Sequence, residues 1–529
     1  MTDHRMWRRI AGLLMVCGLL LAACSSDSDS GDDAAPDETT AASDVDPNGI
    51  LKLGYDMNQS GNAWNYNPLK IVQGNSGSND PLWYLLYARL LRPTADGATE
   101  PDLATSVEIV DTNRIDIVLR EGLTFSDGSP LDAEAVKASY EAVLAAQADN
   151  TNGYLPAFYS LKTVEVTGAT TLTLGFTDGT AASWFDQYIP TFAGSVFKFG
   201  GDPNAPIGAG PFTLTAYETG QSFTYAKNPT YWNEEAIKFA GIEIQSVPFA
   251  QPNSGLAALQ SGQIDVTFTE PSLLSSLGGN LVAVEKVSPN TSSNMHICKK
   301  DGPLADARVR QAINKGMNRE AISEAVYFGT AEPATESWPE GHRLYNPAVG
   351  ELLAFDPEGA KELLAEAGYA DGLTIDMYPI QAFNLDEVAE VIQQQLKDIG
   401  ITVNIIPTTD YVNQFLSPNK EGVGLYPSQV PGPQKLIAWT GESAGNVCDY
   451  QNDEVDQLVK SINGVSQQSQ EAVDLWYQMD ELVTTEALSG FIVFRADVAG
   501  YNSDVIGDMQ PWPVGNFIVP DPWVSYIKN

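Results

Sequence analysis

Basic residues are scarce in this 529-residue chain: Lys and Arg number 29 against 68 Asp and Glu, a formal net charge of −39. That deficit excludes nucleic-acid binding, which depends on Lys and Arg neutralising phosphate. It also opposes contact with an anionic membrane surface. What it favours is solubility at a cell surface, and a field that attracts cationic ligands. Histidine is rarer still, at three residues, and His296 and His342 are the two beyond the N-terminal segment. Neither stands in an HExxH or other metal-ligand spacing, so no metal site and no cofactor is expected. There is no G-x-S-x-G elbow, Walker loop or dinucleotide fingerprint. Carboxylates are so abundant that no Asp/Glu pair singles itself out for hydrolysis. The chain is therefore read as a non-enzyme. No apolar run reaches 18 residues, which excludes an ordinary membrane-spanning helix.

Cysteine is also sparse, and two of the four lie near the start, Cys17 and Cys24. Arg5, Arg8 and Arg9 precede a 14-residue apolar run, Ile10 to Ala23, that ends in Leu21-Ala22-Ala23-Cys24. A basic start, a short apolar segment and a small-residue cleavage site define a secretory signal. The cysteine directly after it gives the string the form of a lipobox. Residues 1–23 are thus expected to be a lipoprotein signal peptide, with Cys24 carrying lipid on the extracytoplasmic face of a bacterial membrane. The residues around Arg8-Arg9 fit a twin-arginine signal poorly. Residues 24–48 are rich in Ser, Asp, Ala and Thr and lack Lys and Arg. Such a segment cannot bury enough apolar surface to offset its ordering entropy, and is expected to be a disordered acidic tether. The other two cysteines, Cys298 and Cys448, lie 150 residues apart. In an oxidising compartment they can pair, worth about 3–5 kcal/mol in the chain-entropy model, or stand as two separately buried thiols.

Beyond residue 48, strand and helix patterns alternate. Leu51 to Tyr55 reads as a first strand, and Gly61 to Asp80 as a loop. Leu82 to Leu91 has helical apolar spacing. Ile115 to Arg120 alternates as a half-buried strand. Asp132 is placed to cap a helix whose apolar stripe is Val136, Tyr140, Val143 and Leu144. Asp356-Pro357 gives a cap followed by a proline in the first turn, and Gly368 a left-handed stop. Leu385, Val388, Ile392, Leu396 and Ile399 make another helix face, ended by Gly400 and followed by the strand Ile401 to Ile405. A helix feeding straight into a strand is an α/β layer unit.

Four stretches carry a more specific pattern: IDIVLREGLTFSDGSPLDAEAVKASYEAV from Ile115 to Val143, led in by Leu103-Ala104-Thr105-Ser106; Ile207-Gly208-Ala209-Gly210-Pro211-Phe212 with KNPTYWN from Lys227 to Asn233; LAALQSGQIDV from Leu256 to Val266; and ADARVRQAINKGMNREAI from Ala305 to Ile322. In this order and at these separations they resemble the family 5 extracellular solute-binding proteins of ABC importers, the peptide, oligopeptide and nickel binders. Tyr450 to Asp456 is similar to the same family. The strings themselves read as scaffold. Asp127-Gly128 and Asn228-Pro229 are turn signals. Gly208 and Gly210 suit a close backbone crossing. Tyr231 and Trp232 suit a core, Ala257, Leu259 and Ile264 a helix packed on a strand, and Arg308 and Arg310 structural ion pairs.

The resemblance implies an α/β fold of two lobes, of the periplasmic-binding-protein type II kind, with an extra domain inserted in the first lobe. The first lobe would use 49–85, 190–288 and 490–529, the inserted domain 86–189, and the second lobe 289–489. Strands near Val284 to Pro289 and Ser489 to Phe494 would cross between lobes, and a solute would be buried as they close. It implies a monomer that hands a small solute, foremost a peptide, to a membrane permease and its ATPase. Peptide-binding relatives place a carboxylate near a tryptophan to meet the peptide amine. Trp439 matches that tryptophan, but the aspartate is not at its usual place, and Glu442 and Asp449 stand at other spacings. Tyr55, Met57 (with Asn58), Asn294 (with Ser292 and Ser293) and Tyr411 are the remaining candidates for lining the cleft. Two alternatives remain: a binding or regulatory lipoprotein of an envelope lipoglycan pathway on the same scaffold, and a metal held through a small chelator.

Overall fold

The computed structural model describes residues 44–56, 81–94, 99–148, 160–177, 179–190, 192–199, 206–218, 220–248, 251–297, 302–381, 383–409, 414–415, 421–428, 451–466, 469–513 and 518–529. Two long antiparallel strands organise them, Leu281–His296 and Ser489–Asn502. They pair from Leu281 opposite Asn502 through Val287 opposite Ala496, and resume at Ser292 opposite Phe494 after a bulge. On one side of this ribbon lie, in order, Val266–Phe268, Ile50–Tyr55, Gly241–Ser246, Ser222–Lys227 and Phe212–Glu218. On the other lie Val423–Ser428, Leu373–Pro379 and Ile401–Ile405. With the short strand Glu332–Pro333 against Ser489–Asn502, these form one eleven-stranded sheet.

A separate four-stranded antiparallel sheet holds Ala104–Asp111, Arg114–Leu119, Thr171–Phe176 and Leu161–Val166. Ile115, Ile117 and Leu119 are buried on its inner face, as their alternation requires. The helix Ala133–Ala148 packs beside it. Asp132 Oδ1 accepts the Ala135 N–H at 3.0 Å, and Val136, Tyr140 and Val143 are buried. This sheet shares one continuous apolar cluster with Ile50–Tyr55, Gly241–Ser246 and the C-terminal Trp512 and Ile527. A second cluster joins Met295, Ile313, Met377, Ile392 and Val493. A third, around Trp338, Trp476 and Phe494, sits under the helices Asp453–Asn463 and Gln470–Thr485. The fold is thus mixed α/β, with separate cores at the two ends of the ribbon.

The punctuated helices form where capping chemistry places them. Asp356 accepts the Gly359 N–H at 2.9 Å at the start of Pro357–Glu366, and Gly368 has φ +92°. Leu385–Lys397 buries Leu385, Val388, Ile392 and Leu396 on one face, and Gly400 has φ +92° before Ile401–Ile405. Two local expectations change. The apolar stretch from Leu82 is helical only over Pro81–Leu86, and Leu91–Pro93 is already a strand. There the chain turns to pass Gly210: the Gly210 N–H donates to Leu86 O at 2.8 Å, and a Cβ on Gly210 would stand 2.6 Å from Leu85 O. In the helix Pro252–Gln260 the inward face is Gly255, Leu256 and Leu259, while Ala257 is exposed. Arg308 pairs with its own cap Asp306 and Arg310 with Glu486 at 3.4 Å, as expected, and Arg310 also donates to the carbonyls of Leu304, Ala305 and Glu486.

Candidate solute-binding site at the hinge

Strand directions locate the site. Val266–Phe268 runs antiparallel to Ser489–Asn502, and the Thr269 N–H donates to Val498 O, so its C-terminal end points to the middle of the ribbon. Ile50–Tyr55 is parallel to it and ends at the same level. On the other side of the ribbon, Val423–Ser428 runs antiparallel to Leu281–His296 and ends with Ser428 opposite Ser292. Leu373–Pro379 is parallel to Val423–Ser428 and ends on the same side. The parallel strands of both halves therefore aim their carboxyl ends at the middle of one two-stranded ribbon. Crevices at the carboxyl ends of parallel strands are the usual ligand sites of open α/β sheets.

Tyr55 is the last residue of its strand and is buried. Asn294 is buried in the ribbon; its Nδ2 donates to Ser292 Oγ at 2.9 Å, while its Oδ1 has no partner. Ser293, on the other face, has its hydroxyl 3.2 Å from that of Tyr327. The remaining candidates, Met57, Tyr411, Trp439, Glu442 and Asp449, lie outside the described residues, as do Cys24, Cys298 and Cys448.

The sequence reading missed a set of charged and polar groups in the ribbon itself. Arg495 is buried, and neither its Nε nor its Nη2 has a hydrogen-bond partner. The ring of Phe383 lies 4.4 Å from the guanidinium carbon, and Phe383 itself is 46% exposed. Two residues on, Asp497 stands opposite Lys286 in register. Burial pushes the Asp497 carboxyl up to about 7, despite the attraction of Lys286 and Arg495, and its Oδ2 has no partner. Burial brings the Lys286 ammonium down to about 8, and its Nζ donates to Trp512 O at 3.0 Å. Thr269 and Thr291, also at ribbon level, have buried hydroxyls without partners. Each such group costs free energy unless something completes it. The signal was in the sequence: Arg495 and Asp497 interrupt an otherwise apolar strand, and charge inside a buried strand needs a reason.

Phe383 and Asn384 follow Leu373–Pro379 with φ of +57° and +59°. Consecutive left-handed non-glycine residues are strained, and such strain gathers at functional sites. The Tyr327 hydroxyl donates to Phe383 O at 3.2 Å and helps hold the loop. Among the described residues, no group of three or more His, Cys, Asp or Glu could hold a metal ion. His296 is half-buried and stacked on Tyr426 at 4.0 Å, with desolvation lowering its pKa to about 3, so it stays neutral. No helix among the described residues is long and apolar enough to cross a membrane.

The family strings occupy structural positions. Asp102, buried, accepts hydrogen bonds from the Arg89 N–H, the Tyr231 hydroxyl at 3.1 Å and the Trp232 Nε1 at 2.8 Å. Arg120 covers the Trp232 ring at 3.6 Å and donates to Asp102 O. Tyr231 and Trp232 are scaffold.

Comparison with known proteins agrees with this architecture. Heme-binding protein A of Haemophilus influenzae is 28% identical over 561 residues, covering 93% of this chain and 96% of that protein. Glutathione-binding protein GsiB of Salmonella paratyphi A is 29% identical over 310 residues, covering 55% of this chain and 57% of that protein. The substrate-binding protein CtaP of an ABC transporter from Listeria monocytogenes superposes with a TM-score of 0.77 at 21% identity, covering 91% of this chain and 100% of that structure. This neighbour has the two-lobed type II periplasmic-binding fold, and so does this chain. Residues 98–428 match the model of the bacterial extracellular solute-binding proteins, family 5. The chain belongs to that family: it is an extracytoplasmic solute-binding protein of an ABC importer.

Proposed function

We propose that this protein is a lipid-anchored receptor that captures a peptide or peptide-like solute at the ribbon, closes on it, and delivers it to the permease without altering it. In this reading the first lobe comprises 49–85, 190–288 and 490–529, the inserted domain 86–189, and the second lobe 289–489. Cys24 carries the lipid, and Tyr55, Met57, Asn294, Tyr411, Trp439, Glu442 and Asp449 line the cleft. The observation that carries the proposal is the convergence of both sets of strand ends on one ribbon that holds buried, unsatisfied polar groups. A ligand that bridges the two halves stabilises the closed form by its differential affinity for it. Relatives named for glutathione and for heme bear on the solute's chemistry. Glutathione is itself a tripeptide, and both molecules carry carboxylates.

The test is calorimetric titration of the purified chain with mixed di- to pentapeptide pools, with small-angle scattering of the same samples. Heat of binding together with a smaller radius of gyration supports capture by closure. Mass spectrometry of ligand released on denaturation then names the solute. Absence of both heat and closure, with a lipoglycan as the released species, would replace the import reading by the envelope one.

A further inference from the structure

We propose that Arg495 is a ligand-binding residue that anchors a carboxylate of the captured solute within the hinge ribbon. This deepens the solute-capture reading and rests on it. Two buried arginines elsewhere in the fold supply the contrast. Arg319 spends its Nε on Phe491 O, its Nη1 on Asn314 O and Leu353 O, and its Nη2 on Asn314 Oδ1. Arg310 spends its donors on the carbonyls of Leu304, Ala305 and Glu486 and on the Glu486 carboxylate at 3.4 Å. Both of these arginines are satisfied in this way, and Arg89, also buried, leaves only its Nε without a partner. Arg495 is buried to the same degree, yet two of its nitrogens meet nothing.

A guanidinium offers paired donors in a planar fork, the geometry that matches a carboxylate. Here the fork is held in place before any ligand arrives. Phe383 lies over the guanidinium from a strained loop at the end of Leu373–Pro379, and Tyr327 ties that loop down. The carboxylate facing Arg495 from its own strand is Asp497, and it makes no hydrogen bond to Arg495 and has Lys286 as its register partner. On the face that carries Arg495, the ribbon therefore holds two basic side chains, Arg495 and Lys286, against one carboxyl, while Glu285 lies on the other face opposite Val498. In a chain of net charge −39 that local surplus of positive charge stands out. Screening confines the opposing surface charge to about 8 Å at physiological salt, so the buried guanidinium dominates at contact.

The experiment uses the full chain and two variants, Arg495→Met and Arg495→Lys. Each is dialysed against a mixed tripeptide pool with free C-terminal carboxylates and against the same pool as C-terminal amides. Hemin and its dimethyl ester form a second pair of probes, which separates a peptide carboxylate from a propionate. Bound species are read by mass spectrometry, and melting temperature is measured without ligand. We expect the wild type to retain the acids of one pair at least tenfold over their amides or esters. Arg495→Met loses that preference while its ligand-free melting temperature holds or rises, because an unsatisfied buried charge has gone. Arg495→Lys keeps a weaker preference. Equal retention of acids and blocked forms by the wild type overturns the proposal while leaving the receptor reading intact. A fall in melting temperature in Arg495→Met with acid preference unchanged also overturns it, and makes the arginine structural. Retention of no probe by the wild type overturns both.

Discussion

Asp102 shows how a single side chain can hold a family pattern together. It collects a backbone N–H, a phenol and an indole N–H from segments 13 to 130 residues away. Asp102→Ala strands those buried donors, and each costs about 1–3 kcal/mol when left unpaired. Chemical denaturation should show a loss of several kcal/mol; an effect below about 1 kcal/mol would show that water replaces the carboxylate. Glu336 gives a pH signature. It is buried, accepts the Asn346 N–H at 2.9 Å, and leaves Oε1 without a partner. Burial raises its carboxyl to about 8, with Asp480 nearby adding to the shift. The folded chain thus holds a proton that the unfolded chain releases near its ordinary pKa of 4.5. Its contribution to stability is present in full below that value and is lost as pH rises through about 8. Glu336→Gln should therefore lose less melting temperature than the wild type between pH 5 and 9, and parallel curves would refute the shift.

Among the elements, helix starts are set by local chemistry. Ser469 Oγ accepts the Ala472 N–H at 3.1 Å at the head of Gln470–Thr485, whose Trp476, Met479 and Val483 fill the third core. Ser469→Ala should cost about 1 kcal/mol, the usual value of a lost cap, measured by urea unfolding with an unchanged slope. Such elements were legible from sequence because cap, periodicity and glycine stop agree within a few residues. Pro81–Leu86 was not: apolar spacing continued past Leu86, but a close crossing with the glycine-rich segment ended the helix. Ala257 was misassigned for a related reason. A short helix offers too few turns for its sequence to settle which side meets the sheet, and the packing of Leu256 and Leu259 decided it.

At the scale of the whole molecule, one ribbon runs through all three cores and carries the proposed site. The four family strings lie in turns, caps and core rather than at the ribbon centre, which is why they identified the scaffold and left the site unread. The proposed anchor adds a question about place. Cys24→Ser should move the protein from the membrane fraction to the soluble fraction and abolish incorporation of labelled palmitate; retention in the membrane would remove lipid from the account.

By itself, the sequence determined the family, the α/β layers and most strand and helix positions, because these follow from periodicity and capping over short spans. It also showed a chain overwhelmingly acidic, which pointed towards cationic ligands. Only the tertiary structure decided that the carboxyl ends of two strand sets, from segments far apart in the chain, meet at one ribbon. It alone placed Arg495 out of water there, with Asp497 and Lys286 half-buried beside it. Net charge sums every residue equally, whereas burial gives weight to the few charges that solvent cannot screen, and at the ribbon those few are basic in excess.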